Sequence, residues 1–256
     1  MSVNAFVLSK REFDDVLSRC WPTAERPRSE VSRHAPHVFD TLVNYEINTP
    51  LRIAHFLGQL GHESGRGRYT EELASGRAYE GRRDLGNTQR GDGVKFKGRG
   101  LIQLTGRANV TRYAQYKRMP ELIDDPRPLA EQPLAADSAG WFWRFGTGSR
   151  VDLSRVADRD DLMTITRLIN GGTNGLADRR ELTNIAKAVI FAESARIVQA
   201  TLNASRMTPE LVVDGDYGPR TTSAVRDFQS QFFLKTTGLV DVKTWEKLSP
   251  FSETTA

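Results

Sequence analysis

Two glutamates nine residues apart, Glu63 and Glu72, are the side chains of this sequence whose type and spacing could do chemistry. A pair of carboxylates can divide acid and base work: one gives a proton to a leaving oxygen while the other takes a proton from water. On one unbroken helix they would face opposite ways, roughly 13 Å apart along the axis, and could not share a substrate. Gly65 and Gly67 lie between them. A reversal there would bring the pair within the roughly 6.5 to 9.5 Å that leaves room for one water between base and sugar. The bland alternative is local: Glu63 pairs with Arg66 or Arg68, and Glu72 is a solvated surface acid. Two glutamates alone are no signature.

A rival chemistry starts from His62-Glu63, the first half of the zinc-protease pattern HExxH. Four residues after His62 stands Arg66, and His34, His37 and His55 supply no helical pair with His62. With Cys20 as the one thiol, His34 and His37 make a weak zinc site. Neither a metal nor another cofactor is expected.

The elements that must position the carboxylates are helical. Asn48 or Thr49 can cap a helix opening on Pro50, and Leu51, Ile53, Ala54, Phe56, Leu57 and Leu60 give it a broad apolar surface that predicts burial. Gly65 and Gly67 predict its end just after Glu63. Upstream, Ser9 caps a predicted helix to Cys20 with Phe13, Val16 and Leu17 on one face. A second helix is predicted over His37 to Glu46 with Val38, Leu42 and Val43 inward. Ser75 to Gly100 carries no sustained period and reads as a long loop, of the kind that is usually functional or disordered. It leads into Leu101, Ile102 and Leu104, a short extended or turn segment that would pack one side and present Gln103 and Thr105 on the other. The same alternation also fits a short buried strand whose Thr only satisfies the backbone.

Further helices are predicted over Leu134 to Phe145 and Asp160 to Ile169, the second stopped by Asn170-Gly171-Gly172, and over Asp178 to Phe191. Ala135, Ala139, Phe142 and Trp143 would pack, while Trp141 could be core or a sugar platform. From about Glu193 the pattern shortens to three helices: Ile197, Val198 and Leu202 inward on the first, Ala224, Val225, Phe228 and Phe232 on the second, Val242, Trp245 and Leu248 on the third. The turn-rich stretch Val213 to Thr221, with Thr221 as cap, joins the first two, and its Asp-x-Asp-x-Gly run lacks the spacing of a calcium loop.

At 256 residues and 38% apolar content the chain is long enough for one large or two smaller domains, and one cysteine excludes an internal disulfide. The apolar run Ala5 to Leu8 is too short for a signal-peptide core, and no run approaches a membrane span. No signal peptide and no stable membrane association are expected. The net charge of +4 is uneven: residues 193 to 256 hold seven basic against eight acidic residues, and the excess lies in the first part, above all between Arg77 and Arg112. That face could attract a polyanion or be a solvated loop surface. No nucleic-acid motif accompanies it, so no nucleic-acid partner is expected.

GHESG with its second glutamate nine residues on, GRGLIQLTGRAN, and INGG followed by Asp178-Arg179 resemble a glycoside hydrolase family 19, chitinase-like catalytic domain. VDGDYGPRTTSAVRDFQ and GLVDVKTWEKL resemble a peptidoglycan-binding module. Together they resemble phage-type endolysins over nearly the whole chain. The resemblance implies a mainly α fold: a lysozyme-like helical catalytic domain over residues 1–192 and a small three-helix cell-wall-binding domain over 193–256. It implies Glu63 as general acid, Glu72 as general base and Thr105 as the group that positions water. It further implies His62, Gln103, Asn109, Asn170 and Arg179 as substrate-binding or carboxylate-orienting groups. Ala108 and Val110 flank Asn109 where the family often has an aromatic residue, which favours peptidoglycan over chitin; Glu71 remains an alternative base. The implied partner is bacterial peptidoglycan, met by a monomer made in the host bacterial cytoplasm. A separate holin-like, membrane-permeabilising protein would then give it access to the periplasm and wall. A catalytically silent wall-binding protein is the competing class.

Overall fold

The computed structural model describes residues 10–23, 27–149 and 151–255; Ser9, the predicted cap of the first helix, lies outside them. The architecture is helical throughout, and the strand signal among the described residues is two isolated bridges, Glu71 with Arg99 and Arg99 with Leu104. Among the described residues no helix is long and apolar enough to cross a membrane.

The central element is the Pro50–Glu63 helix. Thr49 caps it, its hydroxyl accepting from the Arg52 amide at 3.3 Å, and Pro50 takes the first position, where no amide hydrogen is needed. Ile53, Phe56, Leu57 and Leu60 are fully buried, each contributing roughly 1.5–3 kcal/mol by removal from water. Gly58 and Gly61 let neighbours come close: a Cβ on Gly58 would meet Thr183 at 2.2 Å, and one on Gly61 would meet Trp21 at 2.8 Å. Trp21 donates its indole N–H to the Leu57 carbonyl at 2.9 Å. The central helix is thus clamped between the Lys10–Cys20 helix with its following Trp21 and the Leu176–Ser205 helix.

Several sequence expectations are corrected here. The second helix runs Ala35–Asn44, and Val43 is exposed while Val38 and Leu42 are buried, because Val43 falls about 100° round the helix from Leu42. Residues 75–100 contain single helical turns at Arg77–Tyr79, Arg83–Leu85 and Asp92–Lys95. The Leu134–Trp141 helix passes into a wider π turn over Phe142–Gly146. Trp141 is 2% exposed with the Arg112 guanidinium over its ring, which removes it as a sugar platform. An additional helix, Leu153–Ala157, precedes Leu162–Asn170, which starts two residues later than expected and is capped by Asp161.

The largest correction is to the helix predicted over Asp178 to Phe191. Leu176–Ser205 is one helix of 30 residues, continuous through Ala192 and Glu193. Its first part closes the main core as far as Ile190. Ile197 still packs there, and Val198 and Leu202 belong to a second core with Ala224, Val225, Phe228, Val240 and Leu248. Nothing in Ala192-Glu193-Ser194-Ala195 breaks a helix. The second core is completed by Pro219–Gln231 and Val242–Leu248; Val242 is exposed at the start of its helix, and Thr221, predicted as a cap, is buried within the first turn, where Gly218 takes the cap position. An Ala192→Pro chain should accordingly lose about 3 kcal/mol or more in urea unfolding. An unchanged midpoint would mean a linker at this position after all.

Candidate active site

Glu63 is the last residue of its helix, and the chain then curls instead of running on. The Arg66 amide bonds back to the Gly61 carbonyl at 2.6 Å and the Tyr69 amide to the Ser64 carbonyl at 2.8 Å. Gly65 and Gly67 take φ of +56° and +79°, a region costly for other residues, and even Arg66 is at +59°. The Ser64 hydroxyl accepts from the Gly67 amide at 2.8 Å, and buried His34 contacts the Gly67 carbonyl at 2.9 Å and Gln132 at 2.7 Å. Burial, partly offset by that carbonyl, lowers the His34 pKa to about 4, so near neutrality it is an uncharged bracket for the curl. The continuous-helix arrangement of the two glutamates is excluded.

Glu63 is held by Arg179. The guanidinium, fully buried, gives one N–H to the Glu63 carboxylate at 2.5 Å, another to the Gln59 side-chain oxygen at 2.5 Å and a third to the Asn174 carbonyl at 3.2 Å. At the end of an apolar helix Glu63 thus meets a cation, and that cation is Arg179, not Arg66 or Arg68. Immediately before Arg179, Asp178 takes the residue immediately before Glu63: His62 Nδ1 lies 2.6 Å from one Asp178 oxygen, and Arg66 donates to the other at 2.9 Å. Burial raises the Asp178 pKa, but the His62 bond and the Arg66 charge outweigh it and hold the carboxyl below its usual range. Gly175, at φ +69°, lies against the imidazole; a Cβ there would come within 2.1 Å of it. Two consecutive residues at the start of one helix thus lock two consecutive residues at the end of another.

Glu72 is held from the far side of the curl. Its carboxylate accepts from the Tyr79 hydroxyl and from the Gly98 amide, each at 2.9 Å, and its own amide donates to the Gly98 carbonyl at 2.9 Å. Burial, with the Glu72 contact adding to it, raises the Tyr79 pKa, so the phenol remains a donor. Gly98 is a glycine for space: a Cβ would stand 2.9 Å from the Gln103 side-chain oxygen and 3.3 Å from Glu72 Oε2. Neighbouring Glu71 points elsewhere, bound to Arg99 at 3.0 Å and Lys97 at 3.4 Å.

Gln103 is not a strand residue. It occupies a tight turn at φ +55°, with Arg99 and Leu104 bridged across it, and donates to the Gly100 carbonyl at 2.9 Å and the Tyr69 carbonyl at 3.4 Å. Leu101, Ile102 and Leu104 are buried as expected. The Thr105 hydroxyl donates to the Gln103 carbonyl at 2.8 Å and Asn109 donates to the Thr105 carbonyl at 3.0 Å, so Glu72, Gly98, Gln103, Thr105 and Asn109 form one connected group. Asn170 is exposed at its helix end beside Gly172. Asp178, Tyr79, Gln59 and the Gly98 amide escaped the sequence reading. Asp178 stood inside the motif that supplied Arg179; the others carry no local signal.

The basic stretch proves partly structural. Arg99 is buried against Glu71. Arg107 pairs with buried Asp92 at 2.6 Å, and that bond, against the cost of burial, lowers the Asp92 pKa. Arg112 donates to the Phe145 and Gly146 carbonyls. Arg77, Arg83 and Arg90 remain exposed. Among the described residues no group of three His, Cys, Asp or Glu is placed to hold a metal ion.

With this geometry in hand, comparisons with known proteins separate the two parts of the chain. Residues 192–248 match the family described as a putative peptidoglycan binding domain. A 112-residue stretch, 43% of this chain, is 34% identical to a glycosyl hydrolase family 19 domain-containing protein of Haemophilus influenzae, and covers 50% of that protein. A 121-residue stretch, 47% of this chain, is 34% identical to an endochitinase of Arabidopsis thaliana, over 39% of its length. The matches thus span half or less of these curated relatives. Among solved structures, chitinase C of Streptomyces griseus superposes with a TM-score of 0.52 at 19% identity, covering 73% of this chain and 94% of the other. A bacterial family 19 chitinase superposes at 0.53 and 18%, covering 72% and 95%. The fold of the first part is that of the family 19 chitinases.

Proposed function

We infer that this chain is an inverting, family 19-type glycoside hydrolase that cuts the β-1,4 glycan of bacterial peptidoglycan, with its C-terminal part gripping the wall as in an endolysin. The observation that carries this reading is the separate anchoring of two carboxylates on either side of one glycine-permitted reversal: Glu63 by Arg179, Glu72 by Tyr79 and the Gly98 amide. The relatives named for family 19 and the peptidoglycan-binding match support the substrate class.

In this mechanism Glu63, as general acid, protonates the leaving glycosidic oxygen, and Glu72, as general base, takes a proton from water attacking the opposite face of the sugar. Each Glu72 oxygen uses one lone pair on the protein and keeps another for the water. Glu71 is occupied by Arg99 and Lys97, which favours Glu72 as base. Thr105 has committed its hydroxyl proton to the Gln103 carbonyl, so towards water it offers lone pairs and fixes orientation. His62, locked to Asp178, and Asn109 and Gln103, tied to backbone, are rigid polar surface for the sugars; Asn170 is exposed at the end of its helix. The wall is the place of action.

Purified peptidoglycan digested with the full chain should yield new reducing ends, identified by mass spectrometry, and proton NMR before mutarotation should show the α-anomer first. A β-anomer appearing first would assign the reaction to retention and remove Glu72 from the role of base. The endochitinase relative favours a second reading, hydrolysis of N-acetylglucosamine polymers; faster turnover of chitin oligosaccharides than of peptidoglycan would select it.

A further inference from the structure

Away from the carboxylates, the loop between the Leu176–Ser205 and Pro219–Gln231 helices is built around one side chain. Gln199 is 2% exposed. Its oxygen accepts from the Asp214 and Gly215 amides at 3.1 and 3.0 Å, and its nitrogen donates to Asp214 at 2.8 Å, the Asp216 carbonyl at 2.9 Å and the Thr221 hydroxyl at 3.1 Å. Asn203 adds a reciprocal pair with the Leu211 backbone, both bonds at 2.8 Å. A loop fixed in this way holds its outward side chains in place without a ligand, and so lowers the ordering cost of binding.

That loop and the start of the following helix line two open cavities of about 360 Å³ each. They share Glu210, Leu211 and Arg220, and so adjoin as one groove. The first cavity has Gln199 and Thr221 at its floor and Asp214 and Asp216 along its wall; the second adds Ser223 and Asp227. Val212 and Val213, 68% and 47% exposed, leave apolar surface beside it that the fold does not use. Among the described residues, Glu210, Asp216, Asp227 and Arg220 form no ion pair with the rest of the chain. The groove thus combines preformed shape, apolar rim, one free cation and several free carboxylates, and it lies within the residues that match the peptidoglycan-binding family.

The sugars of a glycan strand carry hydroxyl and acetamido groups, and the acid on every second sugar is spent in the amide to the stem, so they give the carboxylates of the groove no cation. The peptide stem of peptidoglycan carries both signs: the side-chain amine of a diamino acid and free carboxylates, with methyl groups between. Building on the reading of the wall as this chain's target, but not on cleavage of it, we propose that the groove binds the peptide stem. The free amine faces Glu210, Asp214 and Asp216, and a stem carboxylate sits on Arg220. The wall-binding part thereby reads peptide while the chitinase-like part reads sugar, and nicked, uncross-linked stems with free amines are held in preference to cross-linked ones.

The test is calorimetric titration of the full chain with three probes: a sugar-free stem tetrapeptide containing diaminopimelate, the same peptide acetylated on its side-chain amine, and peptide-free glycan oligosaccharides. Acetylation should weaken binding by at least about tenfold, since it removes a charge-assisted contact. Glu210→Gln should weaken the free-amine peptide and reduce the further loss on acetylation, since Asp214 and Asp216 remain, and Arg220→Gln should weaken both peptides alike. Both side chains are exposed, and the acetylated-peptide comparison needs no substitution at all. Equal binding of the two peptides, or no peptide binding, overturns the proposal. If peptide binding is as expected and no hydrolysis is seen, only the hydrolase reading falls; the reverse result removes the groove alone.

Discussion

Glu63→Gln is expected to keep the fold and to slow hydrolysis of peptidoglycan by at least about 10²-fold, because the amide keeps the shape and the Arg179 contact but has no proton to give. Glu72→Gln should lose as much, since an amide cannot take a proton from water, while its oxygen can still accept from Tyr79 or Gly98. Glu71→Gln should change little in turnover, because its partners are Arg99 and Lys97. Rates are to be compared on purified sacculi, alongside unfolding curves for each variant. Near-normal turnover of Glu63→Gln would remove the acid assignment, and large loss in Glu71→Gln with none in Glu72→Gln would move the base by one residue.

Which parts of this arrangement were legible in sequence follows from how far their causes reach. The Thr49 cap, Pro50 at the first helical turn and the glycine stop after Glu63 are decided within four residues, and each stands where expected. So does the burial of Leu101, Ile102 and Leu104. The partner of Glu63 depends on packing between elements more than a hundred residues apart, and the partners of Glu72, which are Tyr79 and Gly98, depend on how the intervening loop folds back; no local pattern encodes either. Glu63 next to an apolar stretch reads as a carboxyl in an apolar site; the cation arrives from the other end of the fold. The uninterrupted helix through Ala192 was hidden for a different reason: the change in pattern after it marks a change of core, and one helix serves both cores by presenting successive faces.

Arg179→Met should be the most damaging single change in the chitinase-like part. A fully buried guanidinium holds Gln59 and Glu63 together, and Gln59 already leaves its nitrogen without a partner. Methionine would fill much of the volume, but it would leave the Glu63 carboxylate facing an apolar group and strand the Gln59 oxygen. Breaking a buried pair from one side costs about 3–5 kcal/mol, and hydrolysis should fall with it because the acid loses its fixed orientation. Arg179→Lys keeps the charge without the planar fork that reaches Gln59, Glu63 and the Asn174 carbonyl at once. It should recover part of the stability and little of the rate. If the cost comes from the stranded carboxylate, adding Glu63→Gln to Arg179→Met should be less destabilising than the two changes summed, by about 1 kcal/mol or more, a coupling readable in urea unfolding of the four chains. Strict additivity would show that Arg179 supports the helix packing alone and does not hold Glu63 in place.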